Sequence, residues 1–146
     1  MAVPTTKAPW HHWPVAVIAL VFYVLAALDY SLAKLGVGLY LAHFSEAARS
    51  FINSMPLWLS LVWAVAVWGG LWGAWLLWSR NRFSVPLLFV GAAGTGFMTI
   101  WTSIFTRPTI FGMAGFTGFY LLVGSTAIAV LLYLYARWER AERHLG

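Results

Sequence analysis

Leu57-Trp-Leu-Ser-Leu-Val-Trp-Ala-Val-Ala-Val-Trp-Gly-Gly-Leu-Trp-Gly-Ala-Trp-Leu-Leu-Trp78 contains no charged side chain. As a helix it spans about 33 Å, enough to cross the hydrocarbon of a bilayer. Pro56 precedes it, and Arg80 and Arg82 follow it. At about 100° per residue, Trp68, Trp72 and Trp75 share one stripe, while Ala66, Gly69, Gly70 and Gly73 fall on the opposite one. The small stripe lets a second backbone come close, which is how helices associate in lipid. The indole stripe must meet lipid, a partner subunit or a bound hydrophobic molecule.

The rest of the chain agrees with a membrane protein. Of its 146 residues, 62% are hydrophobic and 9% charged, against about 25% charged in a typical soluble domain. The basic residues sit beside apolar spans, so membrane topology accounts for the high pI and no nucleic-acid partner is expected. There is no cysteine, which removes disulfide frameworks, thiolate metal sites and dithiol chemistry.

Outward from the central span, the pattern predicts an all-α membrane protein of one domain. It is a four-transmembrane-helix antiparallel bundle, with spans at about 14–33, 57–78, 85–105 and 115–136. Trp10-His11-His12-Trp13 reads as an interfacial aromatic belt, and Pro14 suits a first helical turn. Lys7, the apolar run and Ser31-Leu32-Ala33 together mimic a secretory signal. The length from Pro14 to Ala33 instead matches a full crossing. Between the first two spans, Phe44, Ala48, Phe51, Ile52 and Met55 recur at helical spacing among polar residues. They predict a short interfacial amphipathic helix at about 45–54, with Ser45 as its N-cap.

In the third span Gly91, Thr95 and Thr99 form a second small stripe, expected to pack against Ala66, Gly70 and Gly73. The threonine hydroxyls are expected to bond carbonyls four residues back. In the tail, Glu139 and Arg143 are spaced for an i,i+4 pair. Lys7, Arg80, Arg82, Arg137, Arg140 and Arg143 fall on one side of the membrane, and Lys34, Arg49 and Arg107 on the other. That asymmetry places both termini in the cytoplasm.

Chemistry-bearing residues are few. Asp29 is the only acid in or at the edge of a span, roughly 22 Å along the first helix. It reads as an ion-pair partner of Arg107, Arg49 or Lys34, or as a proton- or cation-coupling carboxylate. His11 and His12 are adjacent and so diverge by about 100° on a helix, unsuited to one metal. No His pair at i,i+4 spacing exists, and no Ser-His-acid set shares a side. The sequence therefore predicts no catalytic residue, no metal site and no enzyme activity, and no residue pattern names a cofactor.

Ala27-Leu28-Asp29-Tyr30, Ser54-Met55-Pro56-Leu57-Trp58, Trp63-Ala64-Val65-Ala66-Val67-Trp68-Gly69-Gly70 with Gly73, Arg80-Asn81-Arg82 and Tyr135-Ala136-Arg137 occur in that order. In order and spacing the chain resembles a family of short four-span bacterial inner-membrane proteins commonly called sugar transporters. The resemblance implies a bacterial inner-membrane location and transport of a small solute. Where that family usually has a Trp-Asn pair in the first span, this chain has Phe22-Tyr23, which removes a polar amide from the membrane. Four short helices leave little room for an aqueous path, so transport would require an oligomer. The residues themselves favour an accessory or binding subunit in a larger membrane complex or homo-oligomer, with Trp68, Trp72 and Trp75 holding a partner or hydrophobic ligand.

Overall fold

The computed structural model describes residues 7, 9–35, 38–42, 45–105 and 110–142. Helix α1 spans His12–Lys34, α2 is a single turn at Gly38–Leu41, and α3 covers Glu46–Ser54. Helix α4 is Leu57–Trp78, α5 is Ser84–Ile100, and α6 is Ile110–Ala141. Four helical segments are long and apolar enough to cross a bilayer: His12–Lys34, Leu57–Trp78, Ser84–Phe105 and Gly115–Ala141. The protein is an all-α, four-span membrane bundle, and no strand occurs among the described residues.

Local chemistry sets the helix ends. Ser45 accepts a hydrogen bond from the Ala48 N–H and so caps α3. At the end of α4, the Asn81 N–H reaches the Leu76 carbonyl and the Arg80 N–H reaches that of Leu77. This pair of hydrogen bonds is a Schellman closure with Arg80 in the left-handed region at φ 58°. Asn81 Oδ1 then accepts from the Phe83 N–H and turns the chain into α5. Gly115, at φ 66°, interrupts the helical geometry of α6 and marks where its membrane span begins.

The last turn of the third span widens into a π-helix at Trp101–Phe105. The wider turn brings side chains four apart nearly over one another. Trp101 stacks on Phe97 at 5.9 Å and on Phe105 at 5.0 Å, and Trp58 of α4 meets its edge at 5.0 Å.

Ring contacts fix the antiparallel order. Trp13 at the start of α1 meets Trp78 at the end of α4, and Tyr30 near the end of α1 meets Trp63 near the start of α4. Helices α4 and α5 approach most closely. A Cβ at Gly70 would fall 2.0 Å from the Tyr23 ring of α1, and one at Gly91 would fall 3.0 Å from the Gly70 Cα. A Cβ at Gly73 would meet the Leu88 backbone at 2.9 Å, and one at Gly94 would meet the Ala66 Cβ at 2.4 Å. Three helices therefore share one junction, and the Tyr23 ring fills it.

The α5 side of this contact runs Leu88–Gly91–Gly94, whereas the sequence pattern predicts Gly91, Thr95 and Thr99. Each step of four residues rotates about 40° around a helix, so Thr99 has turned roughly 80° away from Gly91. Thr99 instead faces α6, with its hydroxyl 2.8 Å from that of Thr126. Thr95 and Thr102 bond the carbonyls four residues back, while of Thr99 and Thr126 one hydroxyl donates to the other and the second donates to its own carbonyl four residues back.

These contacts define a size-swap experiment. Gly94→Ala should lower the melting temperature in detergent, and adding Ala66→Gly should recover most of the loss by removing the opposing methyl. Gly70→Leu should abolish the folded bundle, whereas Leu71→Ala, half-buried, should lower the melting temperature only slightly. Additive losses in the Ala66/Gly94 pair would show that these two positions do not touch.

Candidate functional site

Two features stand out from the apolar bundle, and they differ in kind. The first is polar and lies where α1 begins and α6 ends. On α1, His12, Ala16, Ala19, Tyr23 and Ala27 form one buried stripe at intervals of three and four residues. On α6, Ala129, Leu132, Ala136 and Glu139 form another. The small side chains let α1 pack on α4 and α6 on α5, and the two stripes meet at a shared core that gathers Ala16, Ala19, Leu77, Val85 and Ala136.

This stripe geometry buries His12 and Glu139 completely and sets them face to face. His12 Nδ1 lies 2.7 Å from Glu139 Oε1 and 2.9 Å from Oε2. A carboxylate at Glu139 only accepts, and with it the ring donates from Nδ1. The Tyr135 hydroxyl, one turn back on α6, also engages Glu139 and lies 2.5 Å from His11 Nδ1. A phenol has one proton to give; if Tyr135 donates to Glu139, His11 donates to Tyr135. The far ring nitrogen of His12, Nε2, is buried without a hydrogen-bond partner.

Indoles frame this end, with Trp10 and Trp138 against His11, and Trp13 against both His12 and Trp78. Chemically, the arrangement can hold a proton between His12 and Glu139 and lock the start of the chain's first span to the end of its last. Among the described residues, no three His, Asp or Glu side chains converge into a metal cage.

The sequence pattern alone makes His11 and His12 belt residues and pairs Glu139 with Arg143. The structure turns Glu139 inward to His12, and Arg143 lies outside the described residues. A signal was available: residue 12 continues the phase of Ala16, Ala19 and Tyr23, and antiparallel packing sets it level with residue 139.

The second feature is apolar. Trp68, Trp72 and Trp75 all point away from the bundle, with 43%, 62% and 52% of their surface exposed. Their rings meet no other ring among the described residues. Behind them, Ala66, Gly70 and Gly73 are buried at the junction with α1 and α5, while Gly69 lies against Val90.

Asp29 and Lys34 lie toward the other end of α1. Lys34 Nζ donates to Ser60 Oγ at 2.9 Å. Asp29 lies on the exposed side of α1, Arg49 is exposed on α3, and Arg107 falls outside the described residues.

No family model, curated protein or solved structure matches this chain.

The coupling across the helix ends can be measured with a double-mutant cycle. His12→Gln and Glu139→Gln should each lower the melting temperature, and the double variant should be little worse than the poorer single one. That pattern corresponds to a coupling of about 1–3 kcal/mol. Strictly additive losses would mean that the pair carries no shared stabilisation.

Proposed function

We propose that this protein is a small integral-membrane accessory or binding subunit that uses the outer indole seam of α4 to hold a partner transmembrane helix. The observation that carries the reading is the outward seam of Trp68, Trp72 and Trp75 on a helix whose opposite, small-residue face is already used inside the bundle. Spacing of i, i+4 and i+7 is the spacing by which one helix presents a seam to another. Trp68 lies eleven residues into α4, about 17 Å along it and near mid-membrane, away from the interface that indoles prefer. A helical partner would give these rings packing that lipid tails supply less specifically.

The termini-bearing end carries Arg80, Arg82, Arg137 and Arg140, so the proposed orientation sets that end in the cytoplasm. A bacterial inner membrane follows from the resemblance described above. Within one copy, Tyr23 plugs the junction of α1, α4 and α5, which favours holding over conduction. Solute transport would need a path between copies.

Gentle purification from native membranes, coupled to a photo-crosslinking side chain at position 72, tests this. A stoichiometric membrane partner, crosslinked from the seam and lost in Trp72→Ala while the melting temperature is retained, is the expected result. A flat hydrophobic molecule bound there and lost in the same variant would replace the helix as occupant. A partner-free oligomer that moves labelled sugar into liposomes would overturn the reading in favour of transport.

A further inference from the structure

At the same end of the bundle, on the seam between α5 and α6, three arginines from two elements line adjoining grooves. One groove, of about 410 Å³, is bounded by Val85, Tyr133, Arg137, Arg140 and Ala141. The other, of about 340 Å³, is bounded by Arg82, Phe83, Pro86 and Arg140. Arg140 belongs to both and joins them. All three arginines are exposed, and none is in a salt bridge among the described residues. Of the acids at this end, Glu139 is turned the other way and bonded to His12, and Glu142 is exposed just beyond the helix end. The first turn of α5 opens here, and its helix dipole adds to the positive potential.

The walls below the arginines are apolar. Phe83 and Phe89 are exposed on the α5 side, and the Phe89 ring lies 5.4 Å from that of Tyr133 on α6. Tyr133 and Arg137 are one turn apart on α6, so a molecule lying along this seam meets aromatic rings first and guanidinium groups at its head. A cationic head above an apolar groove at a membrane boundary is complementary to one class of molecule. Membrane topology alone requires positive charge on this side, but not its convergence from two elements on one groove.

We infer that the Arg82–Arg137–Arg140 groove binds the phosphate of an anionic glycerophospholipid, with the acyl chains running down the α5–α6 seam over Phe89 and Tyr133. Guanidinium groups suit the phosphodiester because they donate in a planar fork and remain charged. The groove volumes accommodate a glycerophosphate headgroup. This assignment does not depend on the α4 indole seam, which lies on another helix.

The test uses the full chain in nanodiscs or mixed micelles, with phosphatidylglycerol as probe, phosphatidylcholine as the zwitterionic control and inorganic phosphate at matched ionic strength as the soluble one. Lipid retention is read by native mass spectrometry and thermal protection by melting. Phosphatidylglycerol should be retained and should raise the melting temperature. Arg137→Gln/Arg140→Gln should weaken that binding by about tenfold or more, and Arg82→Gln on the loop should weaken it less. Arg49→Gln, an exposed charge on α3, should leave it unchanged. Equal retention by wild type and the double variant, or equal loss in Arg49→Gln, would overturn the site. Protection by inorganic phosphate equal to that by phosphatidylglycerol would overturn the lipid assignment.

Discussion

The fold depends on the absence of side chains at two facing positions. With hydrogen at Gly70 and Gly91, the α4 and α5 backbones approach until a Cβ on one would nearly touch the Cα of the other, and the Tyr23 ring from α1 occupies the notch that remains. Lipid provides no hydrophobic force between helices, so attraction rests on dispersion across such close surfaces. One aromatic ring thereby ties α1 to both members of the tightest pair. Its neighbours Ala16, Ala19 and Ala27 keep the rest of the α1 stripe small enough to follow the same surface.

Helix α6 packs on α5 through Leu132, Ala136 and Tyr133, and adds polar contacts to that fit. Its close approach to α5 is marked by the Thr99–Thr126 hydroxyl contact, and its far end by the buried His12–Glu139 pair. Polar groups removed from water favour partners strongly, and these partners lie on the neighbouring helices that α6 must touch. The bundle thus combines a steric fit among its four spans with polar contacts at two levels of α6. Van der Waals fit tolerates sliding along a smooth helix, whereas a directional bond to His12 fixes the axial position of Glu139. The polar pair therefore specifies register where the apolar contact specifies proximity.

Much of this was legible in the sequence. Four apolar runs of spanning length, Ser45 as a cap, and the opposite small and indole faces of Leu57–Trp78 all follow from period and composition. Three features were harder to read. Small residues occur on several faces of the third span, and without knowing the helix rotation Gly91–Thr95–Thr99 and Leu88–Gly91–Gly94 look equally suitable. Only contact with Ala66 and Gly70 chooses between them. His12 and Glu139 are separated by almost the whole chain, and each resembles an ordinary interfacial residue until the antiparallel order places them level. The π-turn at Trp101–Phe105 had no marker in composition, since its stacked rings at Phe97, Trp101 and Phe105 also have the spacing of a regular helix face.

The inward contacts also explain what the outer surface is left to do. The small residues of α4 are consumed by α1 and α5, and the ionisable pair is consumed at the end of α6, so neither remains for an external molecule. What faces outward is large and aromatic on α4, and cationic above aromatic on the α5–α6 seam. Exposure of apolar surface is ordinary in a bilayer, where it carries no penalty, so exposure alone does not mark a site. Depth and convergence do. Indoles at the centre of a span sit away from the interface they favour, and guanidinium groups from two elements converge although topology asks only for their sign. These departures from what the bilayer requires are the surfaces on which recognition by this protein is most simply placed.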